Sequence, residues 1–342
     1  MFINLKHEQK QIIPAPLSDF DTKKAQFIAF AQSEITLPLY MQPWWLDAVC
    51  PKGTWNVCLS VDNRGQIEGI LVYYQVKLKG LIRAILMPEL TPHAGIWLRI
   101  HDADKLKTHS LNTHTKRVLD SLIAQLPEVP VYTQKFHHSL TDWQPFYWKG
   151  YRNETHYTYL LECIADIDAV YDNFKGSIRT DIRKAEKTMI CKSSNNIHLF
   201  YNLCEKSFQK QGLRPSFSLK TLEKLDNTLK NRQLRKLYMA FDAAGNAHAA
   251  IYIVYGEKTA HYLVGGSDPD KRQSGAITLL LWNAIKDAAE AGLTTFDFEG
   301  SMVPSVEFAF RNFGAVQKPF FRISRNSSRF YEILTLFFRN YR

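Results

Sequence analysis

No two of the five cysteines (Cys50, Cys58, Cys163, Cys191, Cys204) stand at C-x-x-C spacing, and no histidines cluster at ligand spacing. A zinc site or a disulfide framework is therefore not expected, and no metal is assigned. The chain has no apolar run long enough to span a bilayer. Its first residues, MFINLKHEQKQIIPAPLS, lack the basic-then-apolar order of a secretory leader, so the expected location is the cytoplasm. A nucleic-acid recognition motif is missing too. Lys and Arg outnumber Asp and Glu by 43 to 33, but the two signs are mixed along most of the chain. That balance suits an anionic ligand or surface rather than wholesale wrapping of nucleic acid. What the chain does have is apolar surface: 342 residues, 45% of them hydrophobic, can bury a sizeable core and by length suggest about two domains.

No Pro-, Gly- or Ser-rich linker marks a boundary, so self-similarity has to locate it. Residues 55 to 74, WNVCLSVDNRGQIEGILVYY, read as two strands around a D-x-x-G turn, and residues 236 to 255, KLYMAFDAAGNAHAAIYIVY, repeat that pattern. Asp62 corresponds to Asp242 and Gly65 to Gly245, each 180 residues further on. An amphipathic helix follows each hairpin (HTKRVLDSLIAQL, then AITLLLWNAIKDAAEAG) and leads to a strand (VPVYTQKF, then TTFDFEG). An aromatic helix ending in glycine comes next (WQPFYWKGY, then VEFAFRNFGA), and a last strand closes each series (THYTYLLE, then KPFFRISRN). Four elements in the same order predict two copies of one α/β module, residues 1–165 and 166–342. The competing reading is a single larger α/β domain.

Between the copies, Phe174, Ile178, Ile182, Ala185 and Met189 make the apolar stripe of a helix over 174–190. Lys175, Arg179, Arg183 and Lys187 recur at steps of four beside it, with Lys184 adjacent. Like charges at that spacing repel, so the stripe is either a solvated face or a seat for an anion, with Arg179, Arg183 and Lys184 as the contacts. The segment TAHYLVGGSDPDKRQSGAITLLLWNAIK offers a second anion site. It is a strand carrying Tyr262, then a loop with two cations, then a helix N-terminus, whose free N–H groups and dipole favour phosphate. Lys271, Arg272, Ser274, Gly275 and Ala276 are its candidate residues.

A strand, a loop of the form Q/R-x-x-G-x-G/A and a helix, followed by strand, helix and strand, resembles the GNAT acyl-CoA N-acyltransferase fold. The match here is Arg272, Gln273, Ser274, Gly275 and Ala276, with Ile277 where Gly or Ala is usual. A tandem of two such modules, with SIRTDIRKAEK before the second and FRNFGA in its aromatic helix, is similar to the Fem-type (FemABX) peptidyltransferases. Related tandem-GNAT proteins, often named for cellulose or biotin operons, share these features. The similarity runs from about Leu37 to Asn326. It implies two GNAT-like modules, each a mixed, mostly antiparallel sheet flanked by helices. It also implies an N-acyltransferase moving an acyl group from acyl-CoA to an amine. One alternative is a Fem-type transferase using aminoacyl-tRNA on a peptidoglycan or other cell-envelope precursor; the other is a binding protein whose acyltransferase site has decayed, which Ile277 favours. The helical hairpin arm of some Fem-type enzymes has no counterpart.

Such chemistry needs a base to take the amine proton and donors for the oxyanion. Glu299 is the candidate base. Asp297 lies two residues earlier on the same strand face, where two close carboxylates raise one pKa toward neutrality. Gly300 then lets a substrate approach the backbone; a plain polar turn is the alternative. Arg311 is a candidate for holding phosphate or carboxylate, and Trp45 for lining a substrate groove. His93 reads as a loop residue, and Phe308, Phe310 and Phe313 as core. The tail SSRFYEILTLFFRNYR, a helix over 327–340, suits packing on its own domain or contact with the inner membrane surface, the latter useful for a lipid-linked, phosphate-bearing acceptor.

Overall fold

The structure is a computed structural model that describes residues 19–51, 53–93, 95–99, 107–210 and 212–327. Its first half contains α1 (Asp19–Ala31), α2 (Pro43–Val49), β1 (Thr54–Val61), β2 (Ile67–Leu78), β3 (Ile82–Leu86), β4 (Ile96–Leu98), α3 (Thr108–Ala124), β5 (Val131–Lys135), α4 (Gln144–Trp148) and β6 (Arg152–Glu162). The second half contains α5 (Ile167–Asp172), α6 (Gly176–Glu186), β7 (Ile190–Ser194), α7 (Ile197–Gln209), α8 (Leu219–Asn231), β8 (Arg235–Phe241), β9 (Ala247–Tyr255), β10 (Thr259–Ser267), α9 (Ala276–Glu290), β11 (Thr295–Asp297), α10 (Pro304–Asn312) and β12 (Val316–Asn326). The expected C-terminal helix over 327–340 lies outside the described residues, apart from Ser327.

The two hairpins share more than a turn sequence. In each, the Gly N–H bonds the Asp carbonyl three residues back, at 3.0 Å for both Gly65–Asp62 and Gly245–Asp242. The register slips between Ser60 and Val61 in one hairpin and between Ala240 and Phe241 in the other, again 180 residues apart. A bulge of this kind tightens the local twist, so both hairpins bend alike.

The strands form one twelve-stranded sheet in the order β1-β2-β3-β5-β12-β6-β11-β10-β9-β8-β7, with β4 beside β2. All pairings described are antiparallel except β3 with β5 and β10 with β11. The closing strands cross over: β12, from the second half, pairs β5 of the first, whereas β6, from the first half, pairs β11 of the second. β6 and β12 then pair with each other over nine residues of register, Arg152 to Leu160 against Ser324 to Val316.

Near-continuous apolar runs in β8 and β9 follow from burial on both faces. Leu237, Met239, Ala250, Tyr252 and Val254 enter a core shared with Phe27, Tyr40, Trp45 and Trp55 of the first half. The alternate residues Tyr238, Ala240, Ala249, Ile251 and Ile253 enter a second core under α6, α9 and α10. A third core lies under α3. Helix α6 buries Ile178, Ile182 and Ala185 as the stripe predicts, but it spans Gly176–Glu186 and not 174–190. Lys175 before it has extended backbone, and β7 takes over at Ile190. Phe310 and Phe313 are buried as expected; Phe308 is instead exposed on the outer face of α10, beneath Lys175 and Arg311.

Candidate active site

β10 and β11 pair only at Thr259–Thr295, Ala260–Phe296 and His261–Asp297, and then part. Glu299 and Gly300 both take left-handed backbone, with φ of 57° and 64°, which turns the chain out of the sheet where the strands separate. Beyond His261 the ladder of β10 with β9 skips Leu263, joining Tyr262 to Ile253 and Val264 to Tyr252.

At this parting point the side chains alternate between faces. Phe296 and Phe298 enter the core under α9 and α10, while His261, Asp297 and Glu299 meet on the other face. Asp297 Oδ1 accepts from the Thr158 hydroxyl at 2.5 Å and from the Glu299 N–H at 2.8 Å. Glu299 Oε1 accepts from the Tyr40 hydroxyl at 2.5 Å and from His261 Nδ1–H at 2.7 Å. Burial, then the charge of Glu299, raises the Asp297 carboxyl to about 7. Burial pushes the His261 imidazole down, but its hydrogen bond to Glu299 and the charges of Glu299 and Asp297 outweigh this, and its net shift is upward. Both shifts mean that the folded state holds protons more tightly than the unfolded chain. The stabilisation contributed by Asp297 is therefore fully present below the ordinary carboxyl value of 3.8 and is lost as pH rises through about 7. The melting temperature of the wild type relative to Asp297→Asn, measured from pH 5 to 8, should fall as pH rises; parallel curves would rule out this contribution from Asp297.

No metal-ligand spacing is visible along the chain, yet folding brings donor atoms of His261, Asp297 and Glu299 within 4.8 Å of one another. As described, these atoms are engaged with one another and with Tyr40 and Thr158. His93 is not a plain loop residue. It is buried, packs edge-on to Tyr40 at 4.8 Å, and has no hydrogen-bond partner at Nε2 among the described residues. With His138, Thr158 and Phe320 it lines a small cavity over the two carboxylates. Burial, with neighbouring His137 next, holds its pKa far below the ordinary value.

On the opposite face a cleft of about 640 Å³ runs between the start of α9, the inner side of α10 and β10. Lys271, Arg272, Ser274, Gly275 and Ala276 all line it, as does Tyr262. Gly275 has φ 69° and precedes α9 with no side chain of its own to cap it; Ser274 Oγ accepts from the Ala276 N–H at 3.4 Å, and the N–H groups that follow in the first turn suit a ligand. A Cβ on Gly275 would lie 3.0 Å from the Asp181 carbonyl, so α6 fixes the position of the loop. A second cleft, about 420 Å³, is lined by Leu263 and Val264 of β10 and by Glu89, Thr91, Pro92 and Lys135 of the first half. Phe208 borders both clefts, and Pro92 joins the second to the carboxylate cavity.

Five expected contacts lie elsewhere. Trp45 is fully buried, donates its indole N–H to Thr91 Oγ1 at 3.1 Å and packs edge-on to Tyr40, so it supports Tyr40 and lines no groove. Arg311 is not among the residues that line the cleft and pairs with Glu307 at 2.9 Å. Arg179 donates to the Asp172 carbonyl at 2.5 Å. Arg183 and Lys184 line a separate shallow groove with Thr180 and Lys187. Gly300 is also explained differently: a Cβ there would sit 1.9 Å from the Tyr157 carbonyl, so the close approach is by β6 and not by substrate. Sequence reasoning missed Tyr40, Thr158 and His261. Only His261 carried a signal, as a lone imidazole in an apolar strand.

Residues 172–303 match the sequence model of the acetyltransferase (GNAT) domain, which takes in β10, the Gly275 loop, α9 and β11. No curated protein matches the sequence. Among solved structures the fold is similar to the crystal structure of FemX, with a TM-score of 0.63 at 12% identity over 87% of this chain and 95% of that one. It is also similar to a conserved protein of unknown function from Bacteroides thetaiotaomicron, with a TM-score of 0.54 at 9% identity over 89% and 96%. The chain thus carries a GNAT acetyltransferase domain over residues 172–303, and the likeness to FemX shows the fold. No helix among the described residues is long and apolar enough to cross a membrane.

Proposed function

We propose that the protein transfers an acyl group from a coenzyme A thioester to an amine. The donor lies in the cleft at α9, and the amine enters from the opposite face of the sheet beside Glu299. The observation that carries this reading is the composition of the donor cleft. It has a helix N-terminus with Lys271 and Arg272 at one end, and no Asp or Glu among the described residues that line it. These residues fit a pyrophosphate.

The amine nitrogen bonds to the thioester carbon, the C–S bond breaks, and the proton lost by the amine reappears on the coenzyme A thiol. Glu299 takes that proton first, with Tyr40 and His261 fixing its carboxylate. The bulge removes Leu263 from the β9 ladder, which supports a role for its N–H in holding the developing oxyanion. The second cleft receives the acceptor, flanked by Glu89 and Lys135. The modules 1–165 and 166–342 form one working unit, because acceptor-side groups come from both and donor-side groups from the second.

Coenzyme A and acetyl-CoA should each raise the melting temperature, by about 3–5 °C at a hundredfold excess over Kd. Arg272→Ala should weaken that binding about tenfold through loss of a charge-assisted contact. A second reading, a Fem-type transfer from charged tRNA to a lipid-linked or phosphate-bearing envelope precursor, draws on Arg183, Lys184 and Lys187 along the groove of α6. Stabilisation by charged tRNA alone would move the assignment there, and no response to any of these ligands would overturn the acyl-CoA reading.

A further inference from the structure

Buried charges in proteins are normally paired with a cation or bound to a metal. Asp297 is 2% exposed and the Glu299 side chain 8%, yet no Lys or Arg pairs with either among the described residues. Their partners are the Thr158 and Tyr40 hydroxyls, one backbone N–H and the His261 imidazole. Carboxylates that ligate a metal are held from outside by hydrogen bonds of this kind. His93 supplies a separate observation. It is nine-tenths buried, borders the cavity over the two carboxylates, and leaves Nε2 without a hydrogen-bond partner among the described residues, a costly state for a buried polar atom. That cavity, about 10 Å³, has room for one body the size of a water molecule or a single ion. Bonds of about 2.0–2.2 Å to a tetrahedral Zn²⁺ set neighbouring donor atoms about 3.3–3.5 Å apart. Those of His261, Asp297 and Glu299 already lie within 4.8 Å of one another, so small side-chain rotations close the set. Mg²⁺ and Ca²⁺ take oxygen ligands, whereas imidazole with carboxylate suits Zn²⁺.

We propose that this cluster is a transition-metal site, in which Zn²⁺ is held by His261, Asp297 and Glu299 and completed by His93 across the cavity. The His261 Nδ1 proton gives way to the ion, and the Tyr40 and Thr158 hydroxyls go on holding the carboxylates. The site stands whether or not the donor is a coenzyme A thioester. On the proposed mechanism, however, a Glu299 engaged by the ion takes no amine proton, so the ion-free protein is the working form and Zn²⁺ inhibits it. The test is calorimetric titration of the full chain with ZnCl₂, after treatment with EDTA and dialysis to remove the chelator. One ion should bind per chain with micromolar or tighter affinity, and MgCl₂ should not compete. Asp297→Asn should weaken that binding roughly a hundredfold and His93→Gln about tenfold, with a melting curve confirming that each variant is folded. Should Asp297→Asn fail to fold, His93→Gln decides alone, since its Nε2 has no hydrogen bond to lose. Wild-type binding weaker than micromolar would overturn the proposal. Binding that a folded variant retains unchanged would place the ion on other histidines and overturn it too.

Discussion

Glu299→Gln should lower kcat about a hundredfold or more while leaving the fold in place. The amide keeps the shape of the carboxylate and one oxygen able to accept from Tyr40 and His261 Nδ1–H, so the network that positions residue 299 survives. What is lost is the charge and the site that takes the amine proton. Two secondary effects have definite signs. The Asp297 carboxyl, raised partly by the Glu299 charge, should titrate at lower pH, and the His261 imidazole, raised by its bond to Glu299, should titrate lower as well. The decisive measurement is kcat against pH, beside a melting curve for each variant. A base loses kcat with KM little changed, whereas a purely structural residue would shift the melting curve instead. Unaltered turnover would remove Glu299 from the mechanism.

Gly300→Ala should be the most destabilising single change at the site, by about 2–4 kcal/mol. Two costs act together there. The backbone is left-handed at φ 64°, where a Cβ is strained, and that Cβ would meet the Tyr157 carbonyl at 1.9 Å and the Thr158 Cα at 2.7 Å. Both neighbours are main-chain atoms of a central strand, so neither can rotate aside. β6 would have to move, and Thr158 carries the hydroxyl that holds Asp297. Chemical denaturation reads the stability loss. If the variant were as stable as wild type, β6 would have to be free to move, and Thr158 with it.

Much of this architecture is legible in the chain because it depends on local grammar. Asp62 and Gly65 specify their turn as Asp242 and Gly245 specify theirs, and the offset of 180 residues extends even to the bulge position. Asp297 and Glu299 could be read together because alternation places them on one side of a strand. Their partners could not: His261 is 38 residues from Glu299 and Tyr40 is 259 residues away, and only the fold brings them within hydrogen-bonding distance. Trp45 was misleading because an indole suits a groove and a core equally well, and burial alone separates them. The basic residues of α6 face outward for a similar reason. Their stripe is real, but the apolar stripe beside it determines how the helix sits, and that rotation carries Arg183 and Lys184 away from the donor cleft. The exchange of closing strands left no trace in composition, since β6 and β12 are both mixed apolar strands able to pair with either β5 or β11.

That exchange governs how the protein is made. When β5 emerges from the ribosome, its partner on one side does not yet exist; β12 follows about 180 residues later. Until then the first half carries an open strand edge, a template for pairing with another chain. Splitting the gene between the modules would leave each product with a missing strand and a surplus one, and only co-expression would let the two products complete each other.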